Sequence, residues 1–129
     1  MLVRHLRSHG LYALSATRAA IGVSMLARPE VLPKALGADS TTAARLAWLT
    51  RMVGARELAL GAGTLVALRR GKDAEEWAYA QLLSDAVDAL AVGAALARGH
   101  VRVVPGAAVV AAAATGAAAG VVALRERDA

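Results

Sequence analysis

Apolar positions in this chain gather into four long blocks, 11–27, 46–68, 78–97 and 103–124, divided by short polar connections. Each block falls within the roughly 17–25 residues that carry an α-helix across a hydrocarbon core. The pattern therefore predicts an all-α protein, a four-helix transmembrane bundle built as a single domain over 1–129. The block at 103–124 decides between lipid and water: it contains no charged residue, and Thr115 is its one polar side chain. A helix on the surface of a soluble bundle needs a polar outward face, and this segment has none to offer.

The connections carry their own signals. Pro29, Pro33 and Gly37 break any continuous helix between the first two blocks, and Asp39-Ser40-Thr41-Thr42 supplies capping side chains for the next one. The run 69–76 is a charged turn. Gly99 suits a helix C-terminus, and Pro105 suits the first turn of the fourth helix. The basic stretch 1–10 followed by an apolar run resembles a secretion signal. Arg18 in the middle of that run is unfavourable in a cleavable apolar region and, with no convincing small-x-small cleavage site before Arg28, makes 11–27 a permanent span instead.

Composition sharpens this picture. Hydrophobic residues reach 57%, charged residues only 19% and aromatics 3%, so packing must rest on close approach of small side chains, as helices in lipid pack. The absence of cysteine excludes disulfides, thiolate catalysis and cysteine metal sites. A net charge of +5 raises nucleic acid as a partner, but the basic residues sit at the ends of the apolar blocks and form no stripe. They read as membrane anchors. Arg4, Arg7, Arg69, Arg70, Lys72, Arg125 and Arg127 fall on one side of a four-span topology, against Arg28, Lys34, Arg45, Arg98 and Arg102 on the other. The bias favours cytoplasmic termini in a multi-pass protein of the cell membrane. Tyr12, Trp48, Trp77 and Tyr79 lie near helix ends, where interfacial aromatics belong.

Ionisable residues inside three of the blocks are the candidate chemistry. Arg18 shares a helical face with Ser15 and Gly22; Arg56 and Glu57 lie centrally in the second block; Gln81, Ser84, Asp85 and Asp88 form one stripe in the third. All the charged members sit at similar depth. A charge at a helix centre costs roughly 2.5–3.5 kcal/mol on insertion scales, so these groups must face inward and pair. Arg51 is close enough to its helix start to snorkel. That leaves two arginines for three carboxylates, and a carboxylate without a cation in low dielectric takes up a proton. Neighbours on a helix point about 100° apart, so Arg56 is expected to turn toward Asp85 and Asp88, and Glu57 toward Arg18. Gly54 and Gly61 flank Glu57 on the face where backbones can approach.

Other motifs carry less. His5 and His9 could meet on one helix face but do not define a metal site, and His100 adds nothing. Gly116-Ala-Ala-Ala-Gly120 permits close helix contact, either within the chain or in a homodimer. Gly61-Ala-Gly63 lacks the rest of a nucleotide fingerprint. No metal and no cofactor is implied.

The run Arg51-Met52-Val53-Gly54-Ala55-Arg56-Glu57-Leu58-Ala59-Leu60-Gly61, with Asp85 or Asp88 in the next span, resembles a family of small four-span membrane proteins of unknown function. That family shares an R-x-x-G-x-R-[DE]-x-x-x-G core, a proline-containing first loop and an acidic residue in the third helix. Glu57 stands where Asp is commoner. The resemblance implies the four-span architecture and marks Arg56-Glu57 as a unit, without an activity. The leading functional expectation is an accessory, assembly or scaffold subunit whose partners are the lipid bilayer and another membrane protein or a second copy. The alternative is an enzyme on a lipophilic small molecule, of isomerase, cyclase or epoxide-opening type. There Glu57, Asp85 or Asp88 would be a general acid or base, and Arg18 or Arg56 would stabilise developing negative charge. A proton-coupled carrier is a third reading.

Overall fold

The computed structural model describes residues 2–72 and 74–125, with side chains over 9–72 and 74–118 and at 121. Among them there is no strand. Five helices follow one another: α1 (Leu2–Ala27), α2 (Val31–Ala35), α3 (Ser40–Arg69), α4 (Glu75–Ala97) and α5 (Val103–Arg125). The four long ones contain the four apolar blocks. They differ from the expected spans by extension: α1 reaches back through the basic N-terminal stretch, and α3 begins six residues before its apolar block. The side chains of His5, Arg4 and Arg7 lie outside the described residues, so the His5–His9 pairing does too.

Local chemistry sets the helix ends. Asp39 caps α3, its Oδ1 accepting from the Thr42 backbone N–H at 2.9 Å and its Oδ2 from the Thr42 hydroxyl at 3.0 Å. Pro33 falls in the first turn of α2, where the missing N–H has no helical acceptor to lose. Helices α2, α3 and α4 each end in a glycine at positive φ, Gly37, Gly71 and Gly99. In each case the glycine N–H and the next N–H fold back onto the last turn, closing a Schellman motif.

Packing divides the molecule into two helix pairs. α1 runs closely along α3 and α5 along α4, whereas α3 and α4 meet over a shorter stretch. The α1–α3 crossing is antiparallel and depends on glycine. A Cβ on Gly61 would stand 2.5 Å from the Ser15 carbonyl oxygen, and one on Gly22 would stand 2.6 Å from the Gly54 carbonyl oxygen. The loops join at the far end: the Arg102 N–H donates to the Leu36 carbonyl at 2.9 Å.

The distribution of side chains is inverted relative to a water-soluble domain. Among the described residues the buried apolar side chains are small, Ala43, Ala67, Ala74 and Ala78 together with Pro29 and Pro33, whereas Leu90, Leu83 and Met52 are 75%, 67% and 62% exposed. Inside lie Ser15, Arg18, Thr50, Glu57, Thr64, Gln81, Ser84 and Asp85. Among the described residues two helices are long and apolar enough to cross a membrane, over His9–Ala27 and Glu75–Ala97. α3 has the length, but Arg51, Arg56 and Glu57 lower its apolarity; the described side chains of α5 give a shorter apolar run, Val103–Ala118.

Candidate functional site

The polar interior forms where the two helix pairs face one another. α1 contributes Ser15, Arg18 and Gly22 at i, i+3, i+7, and α3 contributes Gly54, Glu57, Gly61 and Thr64 at i, i+3, i+7, i+10. These spacings hold each set on one side of its helix. Because the helices are antiparallel, Ser15 lies by Gly61 and Gly22 by Gly54, with Arg18 opposite Glu57 between them. Small residues above and below let two bulky charged groups share the crossing.

Arg18 is the centre of the network. Its Nη1 donates to Glu57 Oε2 at 2.8 Å, and its Nη2 donates to Asp85 Oδ1 on α4. One guanidinium therefore joins three helices. Arg56 forms a second bridge, donating from Nη2 to Asp88 Oδ2 at 2.6 Å and to Glu57 Oε1 at 3.2 Å. All five ionisable residues singled out in the sequence are thus brought into one continuous chain, Asp85–Arg18–Glu57–Arg56–Asp88.

Glu57 does turn to Arg18 and Arg56 to the α4 stripe. Two details differ from expectation. Arg56 and Glu57 touch each other although they are sequence neighbours, because the long arginine stem folds back along the helix. No carboxylate of the three is left without an arginine, because a planar guanidinium presents several donors and each arginine serves two acids. The two halves of the chain differ in setting: Arg18 is 7% exposed and Arg56 36%.

One turn along α4 from Asp85, Gln81 extends the seam with neutral groups. Its Nε2 donates to Thr64 Oγ1 at 2.5 Å and to Ser15 Oγ at 3.3 Å, while the Thr64 hydroxyl donates to the Leu60 carbonyl at 2.8 Å. Thr64 was missed in the sequence. Its place ten residues after Gly54, on the face of Glu57 and Gly61, was the signal that could have found it. Gly116 of α5 also has a role of its own: a Cβ there would stand 2.5 Å from Asp85 Oδ2. Gly116 is therefore occupied within the chain, accommodating the carboxylate; Gly120 is not among the side chains described.

Gln81 Oε1, Ser84 Oγ and Arg56 Nε are buried without a protein partner. Among the described residues, no three His, Asp or Glu side chains converge as a metal ligand set. Two grooves lined by described residues lie away from the network, one beside the C-terminal end of α3 and one beside its N-terminal end. Comparison with protein families, curated proteins and solved structures finds no match for this chain.

Proposed function

We propose that this chain is a four-span protein of the cell membrane that serves as a non-enzymatic accessory, assembly or scaffold subunit. Its Arg–carboxylate network holds two helix pairs in register. The observation that carries this reading is the inverted side-chain distribution, with leucines outward and a mutually paired charge network inward. In lipid there is little hydrophobic drive to bring helices together, so close packing at small residues and interhelical polar bonds must do so. Glycines supply the first between α1 and α3, and the Arg18–Asp85 and Arg56–Asp88 bonds supply the second between the pairs. The pairing of every charged member within the network supports architecture over a reaction chamber. The resemblance of Arg51–Gly61 to the four-span family agrees with α3 and α5 as spans beside α1 and α4, and the distribution of basic residues supports cytoplasmic termini.

Cysteine scanning tests the topology directly, since the chain has no cysteine of its own. Four spans place Lys34 and Lys72 on opposite sides of the membrane; two spans, α1 and α4 alone, place both on the same side. Lys34→Cys should react with an impermeant maleimide added to intact cells and Lys72→Cys only after permeabilisation. Equal reactivity of the two would reject the four-span arrangement.

A second reading rests on Gln81 Oε1 and Ser84 Oγ, which lie on the α4 stripe beside Asp85 with no protein partner. Acceptors of this kind suit a membrane enzyme or proton-coupled carrier that takes a lipophilic molecule with a hydroxyl or amide. Native mass spectrometry separates the readings. A retained small molecule that is lost on Ser84→Leu supports the second, and a bare chain supports the first.

A further inference from the structure

Two grooves of nearly equal size, about 360 and about 350 Å³, lie at different ends of the molecule and differ in chemistry. The first is walled by Ala62, Gly63, Val66 and Ala67 of α3 and by the indole of Trp77 on α4, and Arg70 and Lys72 complete its lining. The other has apolar walls too, but Lys and Arg are absent from its lining and His100 is its one titratable member. Local backbone chemistry builds the first groove. Gly63 lacks the Cβ that would collide with the Trp77 ring, so the indole packs directly against the α3 backbone. At the helix end Gly71 takes φ +62°, its N–H returns to the Leu68 carbonyl, and the Lys72 N–H returns to the Ala67 carbonyl at 3.0 Å. That motif folds the chain back so that two cations stand at one rim above an apolar slot. Glu75 and Glu76, in the first turn of α4, do not line it.

An apolar slot with two cations and an indole at its mouth matches one amphiphile: a lipid whose acyl chain enters between Val66 and Trp77 while its phosphate meets Arg70 and Lys72. We infer that this groove is a binding site for an anionic phospholipid of the leaflet that faces the Arg69–Lys72 turn. The inference rests on the four-span reading, which puts this turn with the termini on the cytoplasmic side, the side where anionic lipids gather. Arg69 adds to the fit. Its guanidinium is held by the Tyr12 hydroxyl at 3.0 Å, so Arg70 and Lys72 are the cations of this turn that the groove presents.

Trp77 is a reporter already in place. In the Trp48→Phe variant it is the sole tryptophan. The protein is reconstituted into phosphatidylcholine vesicles containing an equal fraction of either brominated phosphatidylglycerol or brominated phosphatidylcholine. Each basic residue at an anionic surface is worth about fivefold in local occupancy, so the pair should favour phosphatidylglycerol by about 25-fold. Trp77 should therefore be quenched much more by brominated phosphatidylglycerol, and the excess should vanish in Arg70→Gln/Lys72→Gln. Equal quenching by both lipids, or an excess that survives the double substitution, overturns the site while leaving the membrane reading intact. Absence of quenching by either lipid overturns the membrane reading, and the site with it.

Discussion

Arg18 and Glu57 meet at 2.8 Å where α1 and α3 cross, each flanked on its own helix by small residues three before and four after: Ser15 and Gly22 for the arginine, Gly54 and Gly61 for the glutamate. The symmetry is a consequence of antiparallel packing. It means that the charge pair and the backbone approach depend on the same few positions, and the consequences can be measured separately.

Removing the arginine exposes the difference between the two bridges. Arg18→Gln should destabilise the protein in mixed micelles by roughly 2–4 kcal/mol, between the about 3–5 kcal/mol for breaking a buried pair and the about 0.6–1.7 kcal/mol of polar contacts in membranes. Arg56→Gln, at a third-exposed site whose loss leaves Glu57 still paired with Arg18, should cost about 0.6–1.7 kcal/mol, the range of polar contacts in membranes. Equal losses in denaturant titrations would show that Arg18 is not the centre of the network.

Glycine substitutions test the crossing. Gly61→Ala would place its Cβ 2.6 Å from the Ala19 backbone nitrogen, where backbone must move, and should cost about 1–3 kcal/mol. Gly93→Ala meets nothing within 4 Å, and should be neutral or stabilise by up to about 1 kcal/mol through helix propensity. If both variants melt alike, α1 and α3 do not cross at Gly61.

Much of this arrangement was legible from residue spacing. The four blocks, the common depth of Arg18, Glu57 and Asp85, and the glycines around Glu57 all follow from a 3.6-residue period and the cost of burying charge. What spacing could not show was the branching of the network. Whether an arginine serves one acid or two depends on how its long side chain folds, and the Arg56–Glu57 contact runs against the angular separation of neighbours. The role of Gly116 was hidden for a related reason: many small residues surround it in α5, and only the position of Asp85 on a facing helix singles it out. Helix α2 escaped because Pro29, Pro33 and Gly37 mark a break without saying that one turn forms inside it.

Acid should loosen the start of α3. The Thr42 N–H and hydroxyl hold the Asp39 carboxyl below its usual range. A depressed folded-state value means that the cap's stabilisation is complete above the ordinary aspartate range near pH 4 and is lost as pH falls through the lowered value. Hydrogen exchange of the first turn of α3 should therefore quicken on acidification below about pH 4. Asp39→Asn, which still caps, should abolish that dependence. A parent and variant with the same acid response would place the sensitivity elsewhere.

The claim on which the account rests is that Arg18 joins the α1–α3 pair to α4 through Asp85. A double-mutant cycle of Arg18→Gln and Asp85→Asn, read by reversible unfolding in mixed micelles, measures that link most directly. The expected coupling is at least about 1 kcal/mol, so that the double variant is less destabilised than the sum of the single ones. Additivity within about 0.3 kcal/mol would mean that the two residues act independently and that the helix pairs are held together by something else.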